Sequence, residues 1–320
     1  MSEPAALEGV LVLDKPAGPT SHDMVEKVRR FTPRLRVGHT GTLDPMATGV
    51  LPLCIGRATR LARFLSSGRK RYCGTLLLGV TTDTYDAKGQ TRSRRPAGAI
   101  RLEDVRSAAT RLRGDLMQTP PAYSARKIQG TPMHRLARAG QTVPLMPAPV
   151  TVHRFDILGM DDDQVTFEAE TSPGTYIRSL AHDLGEMLGC GAHLTALRRL
   201  ASGAFSIESA HTFEEVMREG HAGGISRLVI PLNRVDLGLP TIMVNKDGAA
   251  AMLHGRALSA GHMTDAGNAP FDAAGPAGAI GPVRVEDEGG RLLGVAVGGV
   301  SAAEAWHWKP DVVLSVQQGH

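Results

Sequence analysis

The sequence predicts an α+β chain: a large domain of interleaved strands and helices, followed by a small β-rich domain. Three observations carry this expectation. Apolar runs and alternating segments of strand length recur between residues 9 and 201, as in Gly9–Leu13 and in Val165, Phe167 and Ala169. Among them lie stretches whose apolar residues repeat every three or four positions, as in Ile177, Leu180, Ala181, Leu184 and Leu188. Near Pro240 the composition shifts, and the short apolar segments beyond it flank an acidic turn. At 320 residues the chain is long enough for a substantial core, split into one large and one small domain.

Gly9–Leu13 reads as a buried strand that stops at the turn-rich Asp14–Ser21. Ser21 is a suitable N-cap for a helix with Met24, Val25 and Val28 on one face. The stretch Gly38–Leu53 has no regular period, and a second helix is expected from about Arg57. Its Leu61, Phe64 and Leu65 face inward, with Arg57, Arg60 and Arg63 opposite. Arg71–Gly79 reads as a strand and Thr82–Gly89 as the turn after it. Val105, Ala109 and Leu112 mark a helix over about Glu103–Arg113. Two prolines keep Gln118–Lys127 extended, a short helix is expected over Met133–Ala139, and Val150–Leu158 is a strand. Ser172–Arg178 opens the helix of the Ile177 stripe, with Arg178 off that stripe in its N-terminal part. A cation there is opposed by the helix dipole, so an anionic partner is expected. Leu194–Ala201, with Leu197-Arg198-Arg199, reads as strand or loop. Gly261–Pro282 reads as a flexible insertion, and Val283–Val285 and Leu292–Val297 as strands of a domain spanning 238–320.

Composition narrows the function. Hydrophobic residues make up 42% and charged residues 21%, the balance of an ordinary globular chain. No apolar run approaches membrane-spanning length, and no basic segment precedes an apolar one at Met1–Pro4, so neither a membrane span nor a signal peptide is expected. Cys54, Cys73 and Cys190 are too few and too scattered for a disulfide framework or a cysteine metal site, which suits a cytoplasmic location. The net charge is only +4, yet Lys27, Arg29, Arg30, Arg34 and Arg36 cluster before the central stretch. Arg57, Arg60, Arg63, Arg69, Lys70 and Arg71 follow it. Such flanks suit a polyanionic ligand, although either cluster alone also suits a solvated face.

The central stretch itself is Gly38-His39-Thr40-Gly41-Thr42-Leu43-Asp44-Pro45, continuing to Leu53. Its glycines allow close backbone approach, and Pro45 biases Asp44 away from helix. One acid beside a His and two Thr hydroxyls is a setting in which a loop can present a carboxylate in a fixed pose. Read alone, the same residues also make a structural turn in which Asp44 caps a neighbouring amide.

Taken together, several segments resemble the TruB family of tRNA pseudouridine synthases over roughly the first two-thirds of the chain. The carrying pieces are Lys15–Ser21, Gly38–Pro45, Lys70-Arg71-Tyr72, Thr82-Asp83-Thr84, Gly174–Arg178 and Leu197-Arg198-Arg199. The resemblance implies that Asp44 is the catalytic aspartate, that Tyr72 lies against the target base and that Arg178 pairs with Asp44. It further implies that Leu197 lines the pocket, that His39 contacts the RNA where bases are flipped out, and that Asp86 completes the Arg178 network. Lys15 is expected among the substrate contacts. The implied fold is a catalytic domain, residues 1–237, around a mixed, mainly antiparallel sheet, with a PUA-like RNA-binding domain over 238–320. The implied substrate is uridine 55 in the T loop of tRNA, bound through the T arm by a monomer.

That chemistry breaks the C1′–N1 bond, turns the uracil and rejoins it through C5. No electrons or external groups are exchanged, so no cofactor and no metal is expected. A carboxylate must be ionised to act at C1′, and an Arg partner keeps it so in a pocket that would otherwise raise its pKa. Asp44 is the nearest candidate for the base the reaction also needs, with Tyr72 second. Three rival readings use the same residues. One is a non-catalytic RNA-binding or tRNA-folding protein, which leaves the Asp44, Tyr72 and Arg178 set without purpose. Another is a nucleoside hydrolase, which usually pairs two carboxylates. The third is the guide-RNA-dependent branch of the family, against which Gln118–Lys127 and His134–Gly140 look more like the stand-alone bacterial form.

Overall fold

Every side chain of the strand Gly9–Lys15 except Asp14 is buried. Leu11 and Leu13 enter one apolar cluster and Val10 and Val12 another, which is why the run is continuous rather than alternating. In this computed structural model the described residues are 7–121, 127–128, 131–132, 146–264, 280–300 and 306–314. The expected helix at Met133–Ala139, the segment His134–Gly140 and residues 265–279 of the Gly-rich stretch lie outside them.

Gly9–Lys15 belongs to an eleven-stranded sheet. Its main order runs His211–Thr212, Gly9–Lys15, Thr48–Ile55, Ala192–Ser202, Lys70–Leu78, Gln164–Thr171, Ala148–Asp161, Gly114–Gln118. Two of its pairings are parallel, Gly9–Lys15 with His211–Thr212 and Thr48–Ile55 with Ala192–Ser202; the others are antiparallel, as expected. The second parallel junction aligns Gly49 with Arg199, and it depends on the glycine. Gly49 has φ +102°, and a Cβ there would sit 2.2 Å from the Arg199 carbonyl oxygen.

Helices Ser21–Arg29, Leu102–Arg111 and Ile177–Met187 cover one face of the sheet through Met24, Val105, Leu180 and their neighbours. Three of the differences from the sequence expectation bear on the site region. The cap of the first helix is Thr20, in a reciprocal bond with Asp23, which frees Ser21 for another task described below. The central stretch is irregular only from Thr40 to Ala47; Val37–His39 and Thr48–Ile55 are strands, because the apolar run after the loop is covered on both faces. After it come a 3₁₀ turn, Gly56–Leu61, and a short helix, Ala62–Ser66, rather than one longer helix. Leu194–Ala201 is strand, within Ala192–Ser202.

Beyond residue 240 a second sheet runs Thr241–Val244, Ile280–Asp287, Leu292–Val300, Trp306–Val313, Leu258–Ser259, with helix Lys246–Leu253 beside it. Its Leu292, Val295, Val312 and Leu314 share an apolar cluster with Val10, Val12, Val50, Leu61 and Leu65 of the first sheet region. Two cations of the expected polyanion surface are spent here. Arg57 donates to the Leu314 carbonyl at 2.9 Å and pairs with Glu8, and Arg63 pairs with Asp311. A chain ending at residue 237 should therefore melt on the order of 10 °C lower, since each apolar side chain stripped of cover costs about 1.5–3 kcal/mol at most. Calorimetry on both chains checks this; coincident melting would mean that the two sheets give each other no support.

Candidate active site

Three elements converge on the irregular loop Thr40–Ala47. Lys15, at the end of its strand, is fully buried and donates to the carbonyls of Pro16 and Ala47 at 2.8 Å and of Pro45 at 3.4 Å. Burial lowers its pKa to about 8, with Asp44 opposing that shift. Ser21 accepts from the Leu43 amide at 2.8 Å and donates to the Leu43 carbonyl at 3.1 Å. Arg199, also fully buried, donates to the carbonyls of Val50 at 2.7 Å and Gly41 at 3.0 Å. The loop is thus held by its own backbone from three sides, with the Asp44 side chain left partly exposed between the ties.

Arg178 meets Asp44 side-on. Its Nε lies 2.9 Å from Oδ2, and its Nη2 donates to Oδ1 at 3.2 Å. The other guanidinium nitrogen, Nη1, donates to the Thr84 carbonyl at 3.0 Å and to Asp86 Oδ2 at 3.3 Å. Asp86 is itself buried and fixed by the Thr84 hydroxyl at 2.7 Å and the Lys88 amide at 3.0 Å. The sequence places Arg178 off the apolar stripe, yet it is only 5% exposed, because two acids receive it where the periodicity predicts solvent. Burial pushes the Asp44 carboxyl above the ordinary range, Arg178 pulls it back, and Asp86 adds a further upward push.

Asp44 and Arg178 border a cleft of about 380 Å³ that Tyr72, Tyr176, Leu197 and Arg199 also line, a size suited to a small-molecule-sized group. Tyr72 is buried on the central strand Lys70–Leu78, between Ala169 and Arg199 in the sheet register. Burial raises its pKa against the pull of the Arg199 charge, so the phenol stays protonated and is a poor general base. Leu197 is buried on the neighbouring strand. The backbone of Tyr176, just before the Arg178 helix, is gripped by Gln118, whose amide accepts from its N–H at 2.7 Å and donates to its carbonyl at 3.1 Å.

The geometry thus brings together Asp44, Tyr72, Arg178 and Leu197, with Asp86 behind Arg178. Lys15 is part of the loop's framework rather than of the cleft wall. His39 does not line the cleft; it stands in the chain between Thr40, which does, and Gly38, which lines a second cavity with Arg29, Arg36 and Arg60. Burial lowers its pKa, with Arg199 and His22 adding to the effect, so its ring is neutral near pH 7. Among the described residues no group of three or more His, Cys, Asp or Glu could hold a metal, and no helix is long and apolar enough to cross a membrane.

The family model described as TruB family pseudouridylate synthase (N terminal domain) matches residues 29–177, and that of the tRNA pseudouridylate synthase B C-terminal domain matches 178–235. The tRNA pseudouridine synthase B of Dechloromonas aromatica is 42% identical over 289 residues, 90% of this chain and 91% of that one. That of Solibacter usitatus is 42% identical over 250 residues, 78% and 85% of the two chains. The chain belongs to the TruB family of tRNA pseudouridine synthases. It is accordingly an isomerase. The fold agrees: a Cbf5-Nop10-Gar1 complex contains a chain that superposes with TM-score 0.74 at 24% identity, covering 97% of this chain and 87% of its own length. A chain of an H/ACA RNP bound to a substrate RNA containing 2′-deoxyuridine gives 0.72 at 21% identity, covering 98% and 87%.

Arg199, Ser21 and Gln118 are the site residues that sequence reading passes over. Arg199 was visible as a cation in Leu197-Arg198-Arg199, but its partners are backbone carbonyls 149 and 158 residues away. Ser21 reads as a helix cap, and Gln118 reads only as the first residue of the extended stretch Gln118–Lys127.

Proposed function

We propose that the chain converts uridine 55 in the T loop of tRNA to pseudouridine, with Asp44 as the catalytic residue. The observation that carries this reading is the side-on seating of Arg178 on Asp44 at the cleft wall. A uridine stacked inside the folded RNA must be extruded to reach a carboxylate so placed, and the cleft offers the extruded base the Tyr72 ring and the Leu197 side chain. The C1′–N1 bond breaks and a C1′–C5 bond forms; N1 gains a proton and C5 loses one, with no change of redox state. Attack at C1′ and proton removal at C2′ to give a glycal both call for the same ionised carboxylate. Asp44 also serves as base, since Tyr72 is held protonated.

The RNA backbone is gripped around the second cavity, where Arg29, Arg36 and Arg60 gather. Arg29 shares its charge with Glu26, so Arg36 and Arg60 are the stronger phosphate partners. Replacing both with Ala should weaken tRNA binding and lower the salt slope by about two units, roughly one per phosphate contact, while single-turnover rate at saturation is kept. Binding titrations across ionic strength check this; an unchanged slope removes the cavity from the RNA path. The function itself is tested by incubating the purified chain with an unmodified tRNA transcript and mapping pseudouridine by position. One modified site, at 55, is expected; conversion at another position overturns the assignment.

A further inference from the structure

The turn that carries Thr84 and Asp86 to Arg178 contains a residue in a conformation that L-amino acids avoid. Tyr85, between the two Arg178 partners, has φ +61°, where a side chain other than Gly is strained. Its ring stacks on His182, with centroids 3.9 Å apart and planes 8° from parallel. His182 lies four residues beyond Arg178 on helix Ile177–Met187, so both side chains leave the same helix face one turn apart. The turn and the helix therefore meet twice, once through Arg178 on Thr84 and Asp86, once through Tyr85 on His182. His182 Nδ1 is buried and makes no hydrogen bond among the described residues, so the stack rather than a polar partner holds this ring. On the other side, the Leu194 amide donates to the Tyr85 carbonyl at 3.0 Å and the Ala87 amide donates to the Leu194 carbonyl at 2.9 Å. The backbone on both sides of Tyr85 is pinned, and the strained φ lies between the pins.

We propose that Tyr85 is a positioning residue: its stack on His182 holds the strained turn so that Thr84 and Asp86 seat Arg178 squarely on Asp44. This rests on the reading of Asp44 as the catalytic residue. The bonds within the turn do not need the phenol hydroxyl, so the ring alone carries the effect. Replacement by Ala keeps the backbone strain and loses the ring, replacement by Gly loses both, and replacement by Phe keeps the stack. The expected order of single-turnover rates is Tyr85→Phe close to the unsubstituted enzyme, then Tyr85→Gly, then Tyr85→Ala. The loss for Ala should be about tenfold, the scale of an aromatic stacking interaction.

Loss of position also has a signature that mere destabilisation lacks. A looser Arg178 compensates the Asp44 charge less well, so the acid limb of the pH–rate profile should move to higher pH in Tyr85→Ala and stay in place in Tyr85→Phe. Affinity for tRNA should be unchanged in all three, since Tyr85 does not line the cleft. His182→Ala removes the stack from the other side and should reproduce the rate loss and the profile shift should Tyr85→Ala fail to fold. Rates and profiles equal to those of the unsubstituted enzyme in both Tyr85→Ala and His182→Ala, or a loss shared equally by Tyr85→Phe, would overturn the proposal. Asp44→Asn run in parallel separates the two levels: an active Asp44→Asn overturns the site reading itself. An inactive one beside a fully active Tyr85→Ala overturns only the positioning role.

Discussion

Asp44→Asn should abolish conversion, by on the order of 10⁴-fold or more in single-turnover rate, while tRNA affinity stays within a few-fold. The amide keeps the shape of the carboxylate and still accepts from Arg178, so the loop tied by Lys15, Ser21 and Arg199 has no reason to move. What is lost is the negative charge that acts at the sugar. The same charge sets the pH dependence. Burial raises the Asp44 carboxyl, so protonation begins above the ordinary aspartate range, and the rate should fall as pH drops through that raised value. The limb therefore lies on the acid side and is displaced upward. Single-turnover conversion of a tRNA transcript measured from acid to neutral pH checks both points. Turnover of Asp44→Asn near that of the unsubstituted enzyme would remove Asp44 from the mechanism, and an acid limb at the value of a free aspartate would mean that the carboxyl is not desolvated when it works.

The parts of this site that were legible in the sequence are those whose partners leave a local pattern. The run Gly9–Leu13 reads as a buried strand because both of its faces are covered, and the stripe Ile177–Leu188 as a helix because it faces one core. Asp44 is different: loop composition alone fits a capped turn equally well, and only the set of motifs around it points to catalysis. The misread cations share one cause. Periodicity says which face of a segment is polar but not what covers that face. Arg57 and Arg63 therefore read as polyanion contacts, although the second sheet receives them. Lys15, expected among the substrate contacts from the family resemblance, has its ammonium taken up by three carbonyls of its own chain. Arg199 is the hardest case. Backbone carbonyls are present at every residue, so a cation that organises a loop through them leaves no partner in the sequence to find.

Arg178→Lys is the substitution that separates a carboxylate clamp from a phosphate grip. It preserves charge, yet it should lower single-turnover rate by about 10- to 100-fold, since the planar guanidinium that sets both Nε and Nη2 against the two Asp44 oxygens gives way to a single ammonium. The guanidinium also reaches Thr84 and Asp86 at once, and a single ammonium on a flexible stem cannot span Asp44 at 2.9 Å and Asp86 at 3.3 Å in the same plane. Three readouts distinguish the two roles. Affinity for tRNA and its salt slope should be near normal if Arg178 serves Asp44, whereas a phosphate contact would shift the slope by about one unit. The acid limb should move further up in pH, because desolvation of Asp44 is then opposed by a weaker partner. Combined with Asp44→Asn, the Lys substitution should cost almost nothing more, since the charge it serves is already gone. A Lys variant with full maximal rate and weakened, salt-sensitive binding would instead place Arg178 on the RNA backbone, and the pairing with Asp44 would then be a feature of the unliganded cleft alone.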